Sequence, residues 1–418
     1  MARAAFFCFP GSGHVNPTLP LVEELVRRGE LVDYYCSAPF RSAIERTGAR
    51  FREVPRILDG LEATDPFEGL FMLGEFVAQA TLEVMPQLES ELKKEPPDYI
   101  IHDTMTPWGR LLAQRLRLPA VATFPSFAAL PDKSPLPPLA ILLLVFGLKN
   151  IPLNLRRLRR RRELTREVAQ RYGVDDLSFA NLITNPQPCN IVFTSERFQQ
   201  GRAAFDDRFH FVGSTLSEAP DLTFPFSELE GRRVIYVSLG TVFNDKPDFF
   251  RACLDVFDRE DEVLVIGAGQ RLDLAALGKL PRNAIVRPYV PQLEVLRRAT
   301  LFITHGGMNS VTAGMYYRVP MLVRPQGADN LINANRLQEL GAGRKLSSGD
   351  LKPHRLRKLA ETVIADANVK RVLADLSESL RSAGGAKRAA DVVLAFRDRH
   401  ASAIGGYGKV VADPATVD

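Results

Sequence analysis

Short runs of β-branched, aromatic and aliphatic residues recur along the chain, separated by longer stretches with apolar positions at helical spacing. AAFFCF (4–9), LVDYYCS (31–37), DYIIHD (98–103), AVATF (120–124) and NIVFTS (190–195) form a first series. VIYVSLG (234–240), VLVIGA (263–268), AIVRPYV (284–290), LFITH (301–305) and PMLVRP (320–325) form a second. Continuous apolar runs of this length between helices predict buried parallel strands in βαβ units. The stretch 214–232 between the two series is rich in Pro, Ser and acidic residues and predicts a linker over 215–232. The pattern therefore predicts an α/β chain of two doubly wound domains, 1–214 and 233–385, with a cleft between them. A helix over 386–400 is expected to pack back on the first domain, followed by a mobile tail over 401–418. Residues 130–172 interrupt the first series and predict an insertion of irregular chain and helices.

Charge sharpens the view of that insertion. The chain has 418 residues and a net charge of 54 − 49 = +5, but Arg156, Arg157, Arg159, Arg160, Arg161 and Arg162 fall within seven positions. Without those six the balance is 48 − 49 = −1, so one basic island sits on a near-neutral protein and a nucleic-acid partner is not expected. The apolar run LAILLLVFGL (139–148) precedes the island and is half the ~20 residues that a spanning helix needs. Weak membrane contact through 139–162 is one expectation; the other is that the apolar run lines a pocket and the arginines are a solvated helix face. Cys8, Cys36, Cys189 and Cys253 show no metal-ligand or disulfide spacing, and no metal is expected. A cytoplasmic monomer or homodimer is the default expectation.

The candidate chemistry lies where strands end. The first strand runs into PGSGHVNP (10–17), with Asn16 as the expected helix N-cap, Pro17 at the first helical position and Gly29 as C-terminal cap. His14 thus lies at the carboxyl end of a parallel strand, where open α/β sheets bind ligands, and a neutral imidazole there takes up a proton near pH 7. The alternative is a phosphate-binding glycine turn with a bystander histidine. Asp103 closes DYIIHD, and both strand ends open on one edge, so it is either a partner for His14 or a cap for the next helix. His102 should point to the opposite face as a structural residue. In the second series, LFITH is followed by GGMNS (306–310); Asn309 or Ser310 is expected to cap a helix whose N-terminus suits a pyrophosphate, with His305 as a further donor. A matching turn, Ser238–Thr241, ends the first strand of the same series. Walker and GxGxxG patterns are absent, which argues against ATPases and dehydrogenases. His210, His354 and His400 read as structural or exposed.

GSGHVNPTLPLVEELVRRG (11–29), DYIIHDTMTPWGRLLA (98–113), VSLGTVFN (237–244), the run VPQLEVLRRATLFITHGGMNSVTAGMYYRVPMLVRPQGADNLINANRLQELGAGRKL (290–346) and GGAKRAADVVLAF (384–396) resemble the bacterial macrolide-type branch of the family 1 glycosyltransferases. The resemblance implies a GT-B fold, two facing Rossmann-like domains with acceptor bound in the first and nucleotide sugar in the second. It implies that His14 is the catalytic base and Asp103 the carboxylate that orients it. It implies that Tyr289 stacks on the base, that Val290 and Gln292 meet the nucleoside, and that Gly240, Thr241, His305, Gly307, Met308, Asn309 and Ser310 hold the pyrophosphate. Asp329 and Asn330 would contact the donor sugar, and Phe67, Phe71 and Phe124 are expected at the acceptor. Three positions depart from the family pattern. Ala313 stands where a ribose-binding Glu is usual, Arg318 where Gly is usual, and Asn330 where Gln is usual. The expected activity is inverting transfer of a sugar, glucose first, from a UDP-sugar to a hydroxyl of a macrolide, flavonoid or similar molecule, with no cofactor and no metal. The alternatives are a peripheral-membrane enzyme acting on a lipid or carotenoid, and a nucleotide-sugar-binding protein without turnover.

Overall fold

The computed structural model describes residues 1–54, 66–130, 151–173, 184–217, 221, 223–241 and 243–404. The chain divides into two compact units: Met1–Thr194 with Gly201–Thr215 and Gly384–Asp418, and Ser195–Gln200 with Leu216–Ala383.

The first unit is built on β1 (Arg3–Phe7), β2 (Leu31–Cys36), β3 (Arg50–Glu53), β4 (Tyr99–Asp103), β5 (Ala120–Phe124), β6 (Cys189–Val192) and β7 (Phe209–Phe211), all parallel in the order β3-β2-β1-β4-β5-β6-β7. Its helices are α1 (Ser12–Arg27), α2 (Arg41–Glu45), α3 (Pro66–Lys94), α4 (Pro107–Leu116) and α5 (Ile151–Tyr172). Period-two alternation in β1 sends Ala4 and Phe6 to one face, packed with Leu21, Val22 and Leu25 of α1. It sends Ala5 and Phe7 to the other, packed with Leu88 of α3, Leu111 of α4 and Leu164 of α5. The insertion is thus in part a long helix packed against α3; the run 139–148 lies outside the described residues.

The start of α1 departs from expectation. Asn16 is not its cap: the helix begins at Ser12 with Gly11 as N-cap, and Pro17 and Pro20 lie inside it. The Gly11 carbonyl accepts both His14 N–H and Val15 N–H at 2.9 Å, so the first turn is already wound before Asn16. His14 consequently stands on a helical turn with a fixed backbone. At the other end the expectation holds: Gly29 N–H donates to Val26 O and Glu30 N–H to Leu25 O, a Schellman ending.

The second unit holds β8 (Arg233–Ser238), β9 (Glu262–Gly267), β10 (Ala284–Arg287), β11 (Ala299–Thr304), β12 (Met321–Val323) and β13 (Gly343–Lys345), parallel in the order β10-β9-β8-β11-β12-β13. Its helices are α6 (Pro247–Val256), α7 (Gln292–Leu296), α8 (Met308–Tyr316), α9 (Ala328–Glu339), α10 (Pro353–Ala365) and α11 (Ala367–Ser382). Phe224 and Leu229, within the stretch read as linker, are buried, and the division between units falls after Thr215. The last helix, α12 (Gly385–Ile404), belongs to the first unit, where Ala389, Ala390, Val393 and Phe396 enter the α1 core.

β3, β7 and β13 were not foreseen in the hydrophobic pattern, and all three are sheet edges. An edge strand is paired on one flank only and needs no continuous apolar run; β3 reads RFRE and β13 reads GRK. The four cysteines are buried and unpaired.

Candidate functional site

Each sheet reverses its winding direction once, between β1 and β4 in the first unit and between β8 and β11 in the second. Loops diverge from the carboxyl ends of the strands at such a switch point and leave a crevice for a ligand. The predicted chemistry sits at both.

In the first unit β1 and β4 are paired, with Phe7 opposite His102, so the loop into α1 and the end of β4 are neighbours. His14 Nδ1 and Asp103 Oδ2 are 2.8 Å apart, with side-chain exposures of 21% and 0%. A carboxylate only accepts, so Nδ1 carries the proton and Nε2 the lone pair. Asp103 Oδ1 accepts the Met105 N–H at 2.8 Å, so the carboxylate serves the turn and the histidine at once, one oxygen each. The cap of α4 is Thr106. The Phe9 ring lies 5.1 Å from the imidazole, centroid to centroid, and walls one side of it.

His102 is fully buried and its Nδ1–H donates to the Asp103 carbonyl at 3.0 Å. Burial pushes it down to about 4, so it is neutral and structural, as its place on the strand implied. Phe124 is corrected: its ring is committed to the core, 2% exposed and packed on Phe209 at 5.8 Å, so it offers no face to an acceptor. Phe67 and Phe71 fall on α3, in turns whose side chains lie outside the described residues.

In the second unit, β8 and β11 end level, with Ser238 opposite Thr304, and the His305 N–H donates to Ser238 O at 3.3 Å. A Cβ on Gly240 would lie 2.7 Å from His305 Cε1, and one on Gly307 would collide with His305 Nε2. Both glycines are therefore required for the imidazole to lie between the two turns. The ring is half-buried, and its Nδ1 is enclosed with no hydrogen-bond partner among the described residues. Burial holds His305 down to about 4, so the ring is neutral near pH 7 in the unliganded protein.

Neither Asn309 nor Ser310 caps α8. The N-cap is Gly307, whose side-chain-free turn lets the helix start at Met308, and no side chain caps it. Asn309 and Ser310 instead fall in the first turn, where backbone N–H groups and the helix dipole favour an anion. Val290, Met308 and Ser310 are buried, which leaves mainly their backbone for a ligand. Tyr289 is 58% exposed, consistent with a stacking surface. Gln292 opens α7, with its Oε1 accepting from the buried Tyr236 hydroxyl at 3.5 Å. Thr241 and Asp329 are exposed, and Asn330 Nδ2 donates to Asp329 Oδ2 at 3.2 Å. Ala313 is fully buried.

Two buried asparagines hold this half-site and escaped the sequence reading. Asn244 Nδ2 donates to Gly240 O at 2.9 Å, and Asn333 Nδ2 donates to Gly306 O at 2.9 Å. Each ties a glycine turn from behind. Their signal in the sequence is only membership of the long motif runs. Among the described residues, no group of three or more His, Cys, Asp or Glu could hold a metal ion.

Two Rossmann-like units with polar chemistry at each switch point are the domain architecture of GT-B glycosyltransferases. Residues 252–393 match the family described as Erythromycin biosynthesis protein CIII-like, C-terminal domain. Over 407 residues the chain is 32% identical to the uncharacterized UDP-glucosyltransferase YojK of Bacillus subtilis, covering 94% of this chain and 97% of that one. Over 406 residues it is 29% identical to the oleandomycin glycosyltransferase of Streptomyces antibioticus, covering 94% and 90%. The crystal structure of CalG4, the calicheamicin glycosyltransferase, matches with a TM-score of 0.79 at 30% identity, covering 96% of this chain and 99% of that chain. The chain belongs to the bacterial macrolide-type branch of the family 1 glycosyltransferases and has their GT-B fold.

Proposed function

We propose that this glycosyltransferase moves a hexosyl group, glucose first, from a UDP-sugar to a hydroxyl of a hydrophobic natural product, with inversion at the anomeric carbon. The carrying observation is the 2.8 Å contact between His14 Nδ1 and the fully buried Asp103 carboxylate. Asp103 fixes the tautomer that leaves the Nε2 lone pair for the acceptor and stabilises the imidazolium that forms. The acceptor O–H proton passes to His14 Nε2, the oxygen bonds to the anomeric carbon, and the bond from that carbon to the diphosphate breaks. The departing charge is taken by the first turn of α8 and the neutral His305 donor. No metal ion enters this scheme. The UDP preference draws on the printed name of the Bacillus relative, and Ala313 offers no carboxylate to a ribose, so discrimination among nucleotides is weak.

The test is transfer from UDP-glucose and TDP-glucose to a macrolide or flavonoid, with His14→Ala alongside. The substitution is expected to lower kcat on the order of 10²–10⁴-fold while donor affinity stays within a few-fold. Undiminished turnover in His14→Ala overturns the assignment of the base.

A further inference from the structure

We propose that the outer face of α5 docks the enzyme on an anionic lipid surface. α5 contains eight arginines and two glutamates, a balance of +6, against +5 for the whole chain. All of the net positive charge therefore belongs to one helix. Its packing fixes how that charge is displayed. Leu164, Val168 and Tyr172, spaced by four, are buried against the first unit's core. Arg159, Arg162 and Arg166, spaced by three and four, fall on the opposite side, and Arg156 extends the same row by one turn. All four are exposed. One glutamate, Glu163, shares this exposed face and pairs with Arg160 at 3.6 Å, so the row stays strongly positive. The result is a row of guanidinium groups about 15 Å long, carried on a helix that lies flat on the protein.

A straight row on a flat-lying helix suits a planar anionic surface, where every guanidinium reaches a phosphate together. The sequence favours lipid over other polyanions, because the ten-residue uncharged run Leu139–Leu148 ends three residues before α5 begins. No described helix is long and apolar enough to cross a membrane, so the contact is peripheral. Docking of this kind would bring the enzyme to acceptors that partition into lipid. It does not depend on the donor or mechanism proposed above, and its readout is binding, not turnover.

The experiment is co-sedimentation of the full chain with vesicles of phosphatidylglycerol and phosphatidylcholine, and with phosphatidylcholine alone. The expected result is binding to the mixed vesicles only, lost as salt is raised. Each arginine near such a surface is worth about fivefold in partitioning, so Arg159→Ser, Arg162→Ser and Arg166→Ser combined should lose on the order of 100-fold. A charge-matched variant, Arg46→Ser, Arg282→Ser and Arg355→Ser, removes the same charge from exposed positions elsewhere and should bind like the parent. Three results overturn the proposal: equal binding to neutral vesicles, no loss in the α5 variant, or equal loss in the two variants. Binding to duplex DNA without binding to the mixed vesicles would do so as well.

Discussion

Arg318 shows how a departure from a family pattern becomes physical once the backbone is known. It follows the last turn of α8 at φ 59°, in the left-handed region that L residues enter at a cost of about 1–2 kcal/mol. Its N–H donates to Met315 O and the next N–H, that of Val319, to Gly314 O, which makes it the turning residue of a Schellman ending. Glycine performs that job without the steric penalty, although it loses more freedom on folding. Arg318→Gly should therefore raise stability by about 0.5–1 kcal/mol, read as a higher denaturant midpoint at unchanged slope. A lower midpoint would mean that the arginine side chain contributes more than the backbone strain removes. His305 carries a related lesson. The sequence identified it as a donor, but the loss of its charge comes from enclosure between Gly240 and Gly307, which no spacing rule reports.

At the level of elements, α12 is bound to the first unit by more than its apolar face. Arg397 pairs with the buried Glu30, whose other oxygen accepts the Tyr99 hydroxyl at 2.8 Å, and Arg28 reaches Asp391 at 2.5 Å. Arg397→Ala leaves a nearly buried carboxylate without its cation and should destabilise the protein by about 3 kcal/mol. Arg397→Ala in a Glu30→Gln background should cost much less, and equal losses in both backgrounds would show that the pair is not coupled. Central strands were legible because burial on both faces leaves an uninterrupted apolar run, as in YIIHD of β4 and AVATF of β5. The edges were not, and neither was the start of α1. Pro17 and Pro20 argue locally for a later helix, and the Gly11 carbonyl overrides them with two hydrogen bonds. The site was legible as residue types at strand ends. Its support by Asn244 and Asn333 was not, because a side chain that bonds to a distant backbone carbonyl leaves no periodic trace.

For the molecule as a whole, histidines that folding holds neutral contribute to the response to acid, His102 and His305 most strongly. His102 and His305 are held down to about 4 from 6.5 in the unfolded chain. Between those values the unfolded chain binds protons that the folded one refuses. Their contribution to stability is thus complete above pH 6.5 and is lost as pH falls toward 4. Denaturant titrations across that window should show stability falling with acid, and His102→Gln should make the fall shallower; an unchanged profile would contradict the burial of that ring. A different consequence follows from the way the chain is shared between the units. The second unit, to which the donor is proposed to bind, is not the C-terminal half: it takes Ser195–Gln200 early, with Phe198 fully buried and Arg336 bonded to the Phe198 carbonyl, and it stops at Ala383. A recombinant enzyme meant to inherit another relative's sugar preference cannot be made with a single splice near residue 216. It must exchange Leu216–Ala383, carry the matching six-residue segment with it, and hand the chain back to the native α12.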